Sequence, residues 1–265
     1  MDTKYPFWKP FSALLIVGMI GVLSLLFITM PQIEQLSAIQ PDLAGMPVAV
    51  LMLLTLIQPS IILIITVAIG CLTAPKVGLV SLIYEKAAYG KAVLGQLNQQ
   101  YRLAIFICLL FALAVVLLDL AFMPFMGEGF QALNEQEANL LSQLGLGLLY
   151  GGITEELMLR WGLMSLLVWV GWKVINRSSL RPSPGVVWAS IIIAAILFGL
   201  GHLPALAAVV PLTVIIVIRT VFLNAIGGIA FGWLFWRYSL EAAMIAHAFT
   251  HVGFFIIRII LMNFN

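Results

Sequence analysis

The chain returns again and again to apolar runs of about 20 residues or more, the length a helix needs to cross the hydrocarbon core of a bilayer. Such runs occupy 11–30, 46–72, 103–125, 140–170, 186–209, 212–236 and 240–262. Lipid offers the backbone no hydrogen-bond partners, so segments of this kind fold as helices. Of the 265 residues, 63% are hydrophobic and 9% charged, against roughly a quarter charged in a soluble domain. A surface so poor in charge cannot face water, which excludes a soluble enzyme, a nucleic-acid binder and a disordered chain. The expected fold is all-α and polytopic, with seven spans, or eight if one weakly marked segment also crosses. The net charge of +2 is too small to imply an anionic partner.

Loop charges orient the set. Lys4 and Lys9 precede the first run, which Met30-Pro31 follows without a small-x-small cleavage site, so it reads as a retained span. The segment 31–45 carries Glu34 and Asp42 but no Lys or Arg, whereas 73–102 has Lys76, Lys86, Lys91 and Arg102. Residues 126–138 are acidic, and 171–185 holds Lys173, Arg177 and Arg181. This alternation puts the N-terminus in the cytoplasm by the positive-inside rule and fits a bacterial inner membrane. The fourth run is too long for one upright helix, which predicts a tilt, a break or a preceding surface helix. Residues 1–138 read as spans without evident chemistry. Residues 139–265 hold all three histidines and the deepest charges.

A charge at the centre of a membrane helix costs roughly 3 kcal/mol on insertion scales. Glu155, Glu156 and Arg160 all lie inside the fourth run. Glu156 and Arg160, one turn apart with the acid first, form a predicted structural ion pair. Glu155 points about 100° away on an α-helix and finds no partner at Met158 or Leu159. It therefore needs another helix, a water or a proton. His202 follows Phe198 by four residues in the fifth run. His247 and His251 share one face of the seventh. That i, i+4 pair has the spacing of a zincin helix, but Ala248 stands where the zincin Glu would be. Alone, each histidine reads as a hydrogen-bonded interior residue. Cys71 and Cys108 are too few and too far apart for a thiolate site. Gly147 with Gly151, and Gly228 with Gly232, have small-xxx-small spacing, which suits close helix packing and leaves room for the fourth and sixth spans to meet. Asn224 can join the site, Arg219 reads as snorkelling to the outer interface, and Glu241 as a charge at the start of its own helix.

One carboxylate and three imidazoles in a shielded place suit activation of water. Glu155 can take the proton while His202 holds the water, and His247 and His251 can meet an oxyanion. Equally, Glu155, His202, His247 and His251 can hold a divalent ion such as zinc, whose bound water attacks. A proton-relay transporter is a further reading, with only Gln58 and Asp119 to extend a path through the first three spans. One geometric difficulty stands. On straight helices His202 lies much deeper from the cytoplasmic start of its span than His247 does.

The ordered set Glu155-Glu156 with Arg160, Phe198 with His202, and His247 with His251 resembles the CPBP family, the CAAX proteases and bacteriocin-processing or immunity proteins also called Abi. The similarity covers roughly residues 140–255. It implies an all-helical intramembrane endopeptidase that acts on membrane-associated proteins or peptides, with membrane lipid as its surroundings and no nucleic acid. It also implies Glu155 as general base, His202 as its partner on the water, and His247 with residue 251 as oxyanion stabilisers. Family members are described both as metalloproteases and as metal-free glutamate-dependent enzymes. In the CAAX enzymes residue 251 is commonly Asn; here it is His, which can donate to an oxyanion and can also ligate a metal. The alternative within the same fold is a non-catalytic peptide-binding or immunity protein.

Overall fold

The computed structural model describes residues 6–26, 46–127, 130, 140–175 and 178–264. Among them no strand forms; the chain is a bundle of helices. In order these are α1 (Trp8–Ser24), α2 (Val48–Val77), α3 (Leu82–Tyr89), α4 (Leu94–Phe122), α5 (Leu140–Ile175), α6 (Pro184–Gly201), α7 (Leu203–Ala207), α8 (Val214–Arg237) and α9 (Leu240–Phe264). Six of them, α2, α4, α5, α6, α8 and α9, are long and apolar enough to cross a membrane, and α1 is a shorter apolar helix. The protein is an integral membrane protein. Its outward faces are apolar as well as its core: Leu53, Ile57, Ile61 and Ile65 of α2 and Phe106, Leu109, Leu113 and Leu117 of α4 are all exposed. That is how helices look when their solvent is lipid. Glu34, Asp42, Glu128, Glu135 and Glu137 lie outside the described residues.

Helix α5 organises the bundle. It packs against α1, α2, α6 and α9. The long fourth run is not broken. The 36 residues of Leu140–Ile175 form one continuous helix, about 54 Å long if wound as an α-helix. Yet Gly147–Glu155 and Leu157–Met164 are wound as π-helix, in which the backbone bonds join i to i+5. Placing more residues in each turn shortens the helix. Small side chains let the neighbours close in on these wide turns. Thr154 donates to the Gly18 carbonyl of α1 at 2.7 Å, and a methyl group at Gly152 would run into Ala248 of α9.

The two glycine pairs serve close helix packing, as expected. Gly147 and Gly151 face His251 of α9, and Gly228 and Gly232 face Ala195 and Ile191 of α6. Each pair thus serves a different interface, and neither joins the fourth span to the sixth. Glu241 lies in the first turn of its own helix, as expected, and also serves a second one. It is buried near the start of α9, and its carboxylate accepts from Ser81 Oγ (2.7 Å) and from the backbone N–H groups of Leu82 (2.8 Å) and Ile83 (3.0 Å). The acid therefore satisfies the open donors at the N-terminus of α3. With Leu240 N donating to Val80 O (2.9 Å), it fixes α9 against the α2–α3 turn.

Candidate active site

Four elements bring the site together: the π-wound part of α5, the C-terminal end of α6, the middle of α8 and the first half of α9. A cavity of about 440 Å³ is lined by Glu155, His202, His247 and His251, with Tyr150, Asn224 and Phe231 among its other walls. All four sequence-derived candidates thus face one space. A second cavity of about 730 Å³, lined largely by apolar side chains such as Ile62, Leu159, Leu163 and Leu197, shares Tyr150, Glu155, Phe198 and His202 with the first. Glu155 and His202 stand where a polar chamber and an apolar one meet. The winding of α5 contributes directly. Tyr150 and Glu155 are five residues apart, which is nearly half a turn out of register on an α-helix but one turn on a π-helix.

The neighbouring glutamates have opposite surroundings. Glu156 is fully buried. Its Oε1 lies 3.1 Å from Arg160 Nη1, so the expected ion pair forms. The Arg160 guanidinium is itself buried, facing the rings of Phe198 at 5.1 Å and Phe231 at 5.5 Å. Glu156 has a second partner that the sequence did not reveal: its Oε1 is 2.8 Å from His247 Nδ1. A carboxylate can only accept, so Nδ1 carries the proton and Nε2 keeps its lone pair in the neutral ring. Phe231, stacked on His247 at 4.6 Å, holds the ring from the side. Glu155 is 19% exposed, and its Oε2 lies 4.0 Å from His247 Nε2. That gap is too long for a direct hydrogen bond and wide enough to ask for a water between the two.

His202 does not sit mid-helix. It closes α6 at the junction with α7. Its Nδ1 donates to the Phe198 carbonyl at 2.9 Å, satisfying one of the unpaired carbonyls of a helix end. Its Nε2 is left to accept. His202 is 18 residues beyond the start of α6, and His247 is 7 beyond the start of α9. Both nonetheless line one cavity, so α6 and α9 are staggered or inclined against each other by the ~16 Å that 11 helical residues span. His251 stacks on His247 at 5.3 Å. It fits because Gly147 leaves room; a methyl group there would collide with its ring.

Arg219 does not snorkel. It pairs with Asp119 of α4 at 2.6 Å, lies 5.1 Å from the ring of Phe130 and lines the polar cavity. Sequence reasoning also passed over Tyr150, Phe231 and Thr250, which line the same cavity. Thr250 carried a signal, since it lies between His247 and His251 on their helix. The donors of the alternative metal set are only partly arranged for an ion. His202 and His247 each tie up Nδ1 and present Nε2, as metal-bound histidines do. Among the described residues, however, no three His, Cys, Asp or Glu groups come close enough together to hold an ion. The arrangement does not fit a metal site.

Residues 136–253 match the family of type II CAAX prenyl endopeptidase Rce1-like proteins. This part of the chain belongs to the CPBP (CAAX protease) family. The matched segment takes in the π-wound part of α5, α6, α8 and the first half of α9, the four elements that build the site. No curated protein and no solved structure matches.

Proposed function

We propose that the protein is an intramembrane endopeptidase in which Glu155 activates water against a peptide bond of a membrane-associated protein or peptide. The observation that carries this reading is that Glu155 and His202 stand together where the two cavities meet, with His247 and His251 lining the polar one. Glu155 takes a proton from the water, and His202 Nε2 accepts the other hydrogen and aims the oxygen. Attack on the scissile carbonyl creates an oxyanion, which His251 meets with an N–H. His247 can donate as well, but only when both ring nitrogens carry protons, because its Nδ1–H is committed to Glu156. Collapse of the intermediate expels the amine, which collects its proton from Glu155. Preorganised donors of this kind act strongly in a water-poor site. Glu156 and Arg160 act at one remove: the acid orients His247, and the guanidinium balances its charge.

The adjoining 730 Å³ chamber, with its Leu and Ile walls, suits the apolar part of a membrane-anchored substrate. The cytoplasmic N-terminus and bacterial inner-membrane setting read from loop charges belong to the same proposal. The alternative is a binding or immunity protein that uses this polar cluster for structure. To decide between them, purified protein in lipid vesicles is given a pool of lipid-anchored apolar octapeptides, and products are read by mass spectrometry. Peptidase action yields two fragments with a new amino and a new carboxyl end. Retention of intact peptide, saturable and without new ends, would establish the binding protein instead.

A further inference from the structure

Helix α2 lies outside the segment that matches the family, yet it lines the apolar chamber with Gln58, Pro59, Ile62 and Thr66, alongside Glu155 and His202. Gln58 is a polar side chain in a run whose solvent is lipid, where such groups are costly. Contacts between α2 and α5 fix its depth. A methyl group at Gly162 would meet Thr66, one at Gly70 would meet the Trp161 ring, and Lys76 Nζ lies 5.9 Å over Trp169. The contacts advance together along both helices, so α2 and α5 run parallel. Gln58 precedes Thr66 by eight residues, and Glu155 precedes Gly162 by seven. Gln58 therefore stands at the depth of Glu155 to within about one turn. The three threonines of α2 spend their hydroxyls on their own helix: Thr55 donates to Met52 O, Thr66 to Ile62 O and Thr73 to Ile69 O. Gln58 does not. It is exposed, and its carboxamide has no hydrogen-bond partner among the described residues. No step of the proposed hydrolysis uses it.

Resting on the reading of this site as a peptidase, we propose that Gln58 binds the substrate main chain beside the scissile bond. Its C=O accepts from one peptide N–H, and its NH2 donates to a peptide carbonyl of the same stretch. A substrate laid out for attack is unwound there, and in an apolar chamber its freed N–H and C=O groups find no water. A carboxamide carries an acceptor and donors side by side, as a peptide group does, and can replace the lost helical partners. Extended chain advances ~3.3 Å per residue. The shared depth of Gln58 and Glu155 therefore places the bound group within about two residues of the attacked carbonyl. Proline, which has no N–H, is excluded from that position.

The test scans lipid-anchored apolar octapeptides in which one amide at a time, the scissile one excepted, becomes an ester, so that an N–H is replaced by an oxygen. Relative kcat/KM is read by competition in vesicles. Native protein should show one position, within about two residues of the cut, where the ester costs about tenfold, the size of one hydrogen bond left unmade. Q58M keeps the side-chain length and removes both hydrogen-bonding ends. It should melt with the native protein and cut the all-amide peptide about tenfold less well, and the ester at the sensitive position should cost it nothing further. A merely structural role for Gln58 would leave the ester penalty in place. Absence of a sensitive position in native protein, or a penalty that survives in Q58M, would overturn the proposal. If native protein cuts no peptide, the peptidase reading has failed. Equilibrium binding of the amide and ester peptides to native protein and to Q58M then decides the main-chain proposal by the same contrast.

Discussion

Adjacent glutamates on one helix have met two different solvents. On one side of α5, Glu156 is sealed with Arg160 and His247, and every neighbour is fixed by packing. On the other, Glu155 opens into two cavities and stops just short of direct contact with His247. A buried charge set against an opposite one and closed off from any cavity holds a structure together. One that is half-partnered beside a cavity is available for chemistry.

The comparison breaks most visibly at the sealed side. Glu156→Gln keeps the shape but strands the Arg160 cation, and loss of one partner of a buried pair costs about 3–5 kcal/mol. The variant should accumulate poorly and melt well below the native protein in a detergent thermal-shift assay. A melting point equal to the native one would mean that the pair is not structural.

On the open side, His251→Ala removes an oxyanion donor and should cost about 100- to 1000-fold in kcat. His251→Asn restores a donor and should keep much of the activity. Chelator treatment alongside should change neither ranking. Zinc bound at one ion per chain, and lost with activity in both variants, would instead require the metal mechanism.

Gly147→Ala tests the seam between the two sides. The added methyl meets the His251 ring, and overpacking of this kind costs about 1–3 kcal/mol. Activity should fall more than stability does, because the displaced group is the donor. A stable and fully active alanine variant would show that the position of His251 is not critical.

Much of this was legible in the sequence, and what was hidden has a common cause. Apolar runs located the helices because lipid forces every backbone bond inside the segment. The Glu156–Arg160 pair was visible because its members are one turn apart. The partnerships that escaped join distant segments: Glu156 with His247, Arg219 with Asp119, and Glu241 with the start of α3. Periodicity within one helix says nothing about such partners. The π winding of α5 was hidden for another reason. Its glycines and apolar residues suit an α-helix equally, and the wide turns accompany close packing against α1, α2 and α9. His202 looked buried in mid-span because Leu203-Pro204 continues the apolar run, although the structure ends α6 there.

The central claim is that Glu155 acts on water while Glu156 holds the scaffold. It is tested most directly by Glu155→Gln, measured in one preparation for melting temperature and for peptide cleavage per folded molecule in lipid vesicles. The account expects a melting temperature close to the native value and a loss of about 100- to 10,000-fold in kcat, the range for removal of a general base. Cleavage at the native rate, or a collapse of stability matching that of Glu156→Gln, would contradict it.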